Sequence, residues 1–120
     1  MDNDSTGLAS MLADDRPSTA AELVTIAEGS IVSRVLARAE GGSITLFAFD
    51  RGQALSEHTA PFDAVVQVVT GTLTVTIAGR DLELTSGEMV RMPAGVPHAV
   101  RAPEPCRMLL TMLRDAKKGS

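Results

Sequence analysis

From Glu22 onward, apolar residues come in short runs separated by glycine, proline and acidic turn signals. The runs are "ELVTIA", "IVSRVLARA", "SITLFAF", "AVVQVVT", "TLTVTIAG", "DLELT", "EMVRM", "HAVRA" and "CRMLLTMLR". Gly29, Gly41-Gly42, "DRGQALSEH", Gly71, Ser86-Gly87, "PAGVP" and "PEP" punctuate them. Strand-length segments at this spacing, with no long helical period between them, predict an all-β sandwich or barrel. In "TLTVTIAG", Leu73, Val75 and Ile77 alternate with Thr72, Thr74 and Thr76, which predicts one dry face and one half-wet face. In "AVVQVVT" the valines fall on both parities, so that strand is expected to be covered on both sides, by a second layer or by a second subunit.

The first residues differ in character. Leu8, Met11 and Leu12 have the i, i+3, i+4 spacing of a short helix within "GLASMLA", but no period is sustained up to Arg16-Pro17. The expected division is a flexible N-terminal segment over 1–18, one domain over 19–115 and a short tail over 116–120.

Composition narrows the function. A chain of 120 residues, 44% hydrophobic and 22% charged, has the profile of one globular domain. A net charge of −4, with Phe47, Phe49 and Phe62 as the aromatics, argues against a nucleic-acid partner. No apolar run is long enough for a membrane span, and the acidic start "MDNDSTGLAS" lacks the order of a signal peptide. Cys106 stands alone in an apolar segment, which predicts a small buried side chain and no internal disulfide. Together these features predict a cytoplasmic protein. Arg91, Arg101 and Arg107 read as solvated positions on the last segments.

The chemistry concentrates at two stretches. "GQALSEHTAPFDAVVQVVTG" places His58, Ala60 and Ala64 between Gly52 and Gly71, and "GEMVRMPAGVPHAVRA" places Pro93, Gly95 and His98 after Gly87. This framework resembles the cupin motifs G-x5-H-x-H-x3,4-E-x6-G and G-x5-P-x-G-x2-H-x3-N, over roughly residues 42–114. The resemblance implies a small single-domain cupin of the RmlC-like type, an antiparallel β-barrel or jelly roll enclosing a small cavity. It also implies where a metal would sit, because the family holds one ion with the two histidines and glutamate of the first motif and the histidine of the second. Here Ala60 replaces the second histidine, Ala64 the glutamate and Ala102 the final asparagine. Of the four ligand positions, His58 and His98 keep a ligand.

Two imidazoles fall short of a catalytic zinc site or of a two-histidine, one-carboxylate triad. Asp63 reaches inward only if the strand bulges, and Gln67 has the opposite parity to Ala64. Met89, Met92, Met108 and Met112 carry thioethers suited to Cu(I), but methionines on β segments usually fill cores. The expected pocket therefore contains His58 and His98, with Asp63 and Gln67 nearby or at its mouth. It binds a small molecule, with no cofactor beyond a weakly held divalent metal. The alternative is a metal-dependent dioxygenase or isomerase using His58, His98 and a substitute ligand. A homodimer is expected from the dry faces of residues 64–70 and of the last segment, and family members commonly pair.

Overall fold

The computed structural model of the chain describes residues 9–114. The expectations for residues 1–8 and for the tail from 115 onward lie outside these residues. The described residues form ten strands and one helical turn: β1 (Ala9–Ser10), α1 (Ala20–Leu23), β2 (Ile31–Ala39), β3 (Gly42–Phe49), β4 (Ala54–His58), β5 (Asp63–Thr70), β6 (Thr72–Ile77), β7 (Arg80–Thr85), β8 (Met89–Met92), β9 (His98–Arg101) and β10 (Cys106–Leu113). All pairings are antiparallel. One sheet runs β1-β2-β3-β10-β5-β8 and the other β4-β9-β6-β7. This is an all-β jelly roll, as the alternation predicts.

The core lies between the sheets. Phe49, Val66, Val68, Leu73, Val75, Cys106 and Met108 are all buried there, at 1% exposure or less. Period 2 explains the selection: Val66 and Val68 point in from β5, while Val65, Gln67 and Val69 take the other face. Cys106 belongs to this core, and burial, with the charge of Glu104 as a smaller contribution, pushes its thiol up to about 11. It is a packing residue, not a nucleophile.

A second, smaller core lies outside the larger sheet. Val24 packs on Leu36, Leu46 and Ala48, joined by Leu23, Ile26, Val69 and Leu109. "ELVTIA" is therefore not a strand. Thr19 caps α1 by accepting from the Glu22 backbone N–H, while the Glu22 carboxylate accepts from the Thr19 N–H, a reciprocal capping box. Val24 to Glu28 then crosses the sheet, where the guanidinium groups of Arg34 and Arg107 donate to the Leu23 and Val24 carbonyls. Arg107 is thus a structural tie instead of a solvated position. The helical spacing within "GLASMLA" does not form a helix over its described part. Ala9 and Ser10 pair with Arg38 and Ala37, and the Met11 N–H donates to Leu36 O, so this stretch extends the sheet edge.

Two further details hold the frame. The chain passes between sheets at Gly71, whose φ is +87°. A Cβ there would collide with the Pro105 carbonyl oxygen and lie 2.7 Å from Cys106 Cβ. At the β3 exit, Asp50 accepts from the Gly29 N–H at 2.6 Å and the Arg51 N–H at 2.8 Å, and these bonds hold its carboxyl below the usual range. No helix among the described residues is long and apolar enough to cross a membrane.

Candidate functional site

The two histidines come from adjacent strands of the four-stranded sheet. His98 opens β9, and His58 ends β4 directly opposite it in the ladder. A register shift between Leu55 and His58 lets the end of β4 turn its last ring toward its neighbour. The ring centroids are 4.4 Å apart at 70°, edge to face, and the two Nε2 atoms are 3.2 Å apart. His98 is buried, at 5% exposure, while His58 is exposed at the mouth.

Each ring is oriented by its own backbone. His58 Nδ1 lies 2.8 Å from Ser56 O, and His98 Nδ1 lies 3.1 Å from Val96 O. A carbonyl oxygen only accepts, so each Nδ1 carries the proton and donates. In the neutral rings both Nε2 atoms then carry free lone pairs, 3.2 Å apart and oblique to the line between them. Such a pair accepts from an electron-pair acceptor between or beside these nitrogens: a water or ligand O–H, a ligand N–H, a shared proton or a cation. The two histidines form an acceptor site.

Around the pair is a cavity of about 70 Å³, roughly half the ~150 Å³ known to hold benzene. Its walls are almost wholly apolar. Leu55, Ala99 and Val100 come from the histidine sheet, Ala64, Met92, Met108, Leu110 and Met112 from the facing sheet, and Ala60 and Phe62 from the β4–β5 loop. Gly95 N–H donates to Ala60 O, and Ala94 N–H donates to Asp63 Oδ1, each at 2.8 Å, so the proline-glycine turn is laced to that loop.

The structure brings His58 and His98 together but does not bring Asp63 or Gln67 to them. Neither lines the cavity. Asp63 opens β5 with its carboxylate spent on Ala94 N–H and on Arg91, 3.3 Å away. No bulge turns it inward. Gln67 shares the outward parity of Val65 and Val69. Ala60 and Ala64, the positions where the resemblance would place ligands, do face the cavity. Among the described residues no three His, Cys, Asp or Glu side chains are grouped to hold a metal. Two neutral imidazoles and no carboxylate do not fit the family's divalent ion. Sequence reasoning missed the wall: alternation along "CRMLLTMLR" already places Met108, Leu110 and Met112 on one face.

None of the curated proteins compared matches the chain. A conserved Streptococcus pyogenes protein of unknown function superposes with a TM-score of 0.83 at 30% identity, covering 88% of this chain and 92% of that one. A cupin superfamily protein from Desulfitobacterium hafniense gives 0.82 at 27% identity, over 87% and 95% of the two chains. A cupin 2 conserved barrel domain protein from Leptotrichia buccalis gives 0.75 at 36% identity, over 78% of this chain and 46% of that one. The cupin domain family profile matches residues 45–112, which span β3 to β10 and both histidine motifs, and the chain therefore belongs to the cupin family.

Proposed function

We propose that this cupin is a small-molecule binding module whose cavity takes the end of a mostly apolar ligand bearing one hydrogen-bond donor. The observation that supports this reading is the paired Nε2 lone pairs at 3.2 Å, opening on apolar walls. An alcohol, phenol or amine satisfies both nitrogens through one hydrogen atom. To the unprotonated pair a carboxylate brings only more lone pairs, and both Nδ1–H donors are already committed. Given the volume, the rest of the ligand emerges past exposed His58.

Heteronuclear NMR titration with butan-1-ol and with butanoate tests this. The alcohol is expected to shift the amides of Ala60, Ala64 and Ala99, with butanoate binding more weakly. His98→Ala removes one acceptor worth about 1 kcal/mol, so alcohol affinity is expected to fall by roughly fivefold to tenfold. Tighter binding of butanoate, or shifts confined to other surfaces, would contradict the reading. The alternative of a metal-dependent oxygenase or isomerase needs a substitute ligand, and the positions of Asp63 and Gln67, outside the cavity lining, do not support it.

We also propose a homodimer formed through the outer face of the larger sheet. Residues 20–26 cover one end of that face, over Leu46 and Ala48. At the other end Val65 and Gln67 share it with Met89, 59% exposed, and Leu113, 50% exposed. Sedimentation at tens of micromolar is expected to show twice the 12.6 kDa chain mass. A species at the monomer mass would count against pairing.

A further inference from the structure

We propose that the cavity is a soft-metal site, in which the His58 and His98 imidazoles and the Met92 and Met112 thioethers take up one cuprous ion. The inference shares the cavity and the histidine pair with the organic-ligand reading and adds to them the sulfur-bearing wall.

The first is register. Ala64 on β5 lies directly opposite Met112 of β10 on one side and Met92 of β8 on the other. Directly opposed residues on one sheet face have Cβ atoms about 5 Å apart, so the three side chains form a row. All three line the cavity. The smallest side chain is in the middle, so the space above Ala64 is open to the thioethers on either side. The facing sheet supplies the imidazoles.

The second is the nitrogen geometry. Metal–imidazole bonds of about 2.0–2.1 Å at the tetrahedral angle put two ligand nitrogens about 3.3 Å apart. The Nε2 atoms stand at 3.2 Å, with their lone pairs already freed by the Nδ1 hydrogen bonds. The rings need little movement to chelate.

The third is charge and softness. The donors are neutral, and no carboxylate lines the cavity. The cost of placing an ion among apolar walls grows with the square of its charge, so a monovalent ion costs about a quarter of a divalent one. Thioethers select Cu(I), whereas carboxylate and water suit magnesium, calcium and manganese. A neutral N2S2 set in an apolar wall is matched to a soft monocation, and the two alanines that unmake the family's divalent site make room for it.

The test is an anaerobic titration of the full chain with Cu(I), in competition with the chromogenic chelator bicinchoninate, beside a Zn(II) titration by calorimetry. One Cu(I) per chain is expected, bound more tightly than Zn(II). The combined variant Met92→Leu, Met112→Leu preserves side-chain volume, and a native-like amide spectrum checks its fold. It is expected to lose at least tenfold in Cu(I) affinity with Zn(II) affinity unchanged, while His98→Ala weakens both. Cys106→Ser is expected to leave Cu(I) binding as it was. Native-like Cu(I) affinity in the methionine variant, loss of binding in Cys106→Ser, or preference for Zn(II) would overturn the inference. If butan-1-ol still shifts the cavity amides in those cases, only the metal inference falls and the organic-ligand reading stands.

Discussion

Ala60→His combined with Ala64→Glu is expected to raise affinity for a divalent metal such as zinc by roughly four decades. Both alanines face the cavity that holds the histidine pair, so the new imidazole and carboxylate would be delivered to the two nitrogens already in place. The glycine and proline framework needed to carry them is intact, with the turn at residues 93–97 hydrogen-bonded to the loop at 60–63. Structural zinc sites are worth about 10–16 kcal/mol over four ligands, or about 3 kcal/mol each. Two restored ligands are then worth about 6 kcal/mol, at 1.4 kcal/mol per decade. The glutamate also supplies the negative charge that the native walls lack. Calorimetry with zinc measures the gain, and His98→Ala in the double-mutant background is expected to reverse much of it. Nanomolar zinc binding by the native protein would show that other side chains complete the shell.

Gly71→Ala is expected to destabilise the fold by about 3 kcal/mol. A φ of +87° costs a residue with a Cβ about 1–2 kcal/mol, and that part is generic. The remainder comes from the crossing point between sheets, where the new methyl meets the Pro105 carbonyl and Cys106. Relieving that overlap must shift the start of β10 against the fully buried core, at a cost of about 1–3 kcal/mol. Gly87→Ala separates the two effects, because its φ is +90° and a Cβ there meets nothing within 4 Å. Denaturant unfolding should show the Gly71 variant losing about twice as much stability as the Gly87 variant. Equal losses would mean that the close approach at Gly71 relaxes at no cost.

Much of the frame is legible in the chain because period 2 survives in almost every strand. Leu73 and Val75 announce their burial, and valines on both parities of β5 announce an apolar outer face, which is covered at Val69. What covers one end of its outer face was not legible as such. Residues 20–26 contain Leu23, Val24 and Ile26, which fit a strand as well as they fit a layer lying across one. The capping box from Thr19 to Glu22 is the local signal that decides for a helical turn, and it is weaker than the apolar run that follows. The same limit applies at the site. Motif spacing brings His58 and His98 together, and alternation places Met108 and Met112 on one face. Asp63 could not be placed by spacing, because its direction depends on the Ala94 N–H and Arg91, which arrive from another part of the chain. Nor can spacing reveal that Ser56 O and Val96 O take both Nδ1 protons, and the chemistry of the pair follows from that detail.

The acceptor character of the histidine pair is therefore the point on which the ligand and metal readings both depend. A long-range proton–nitrogen correlation spectrum of the two imidazoles measures it directly. Both Nδ1 nitrogens are predicted to show the shift of a protonated ring nitrogen, with the Nε2 nitrogens unprotonated or sharing one proton. An unprotonated Nδ1 on either ring, paired with a fully protonated Nε2, would contradict the account.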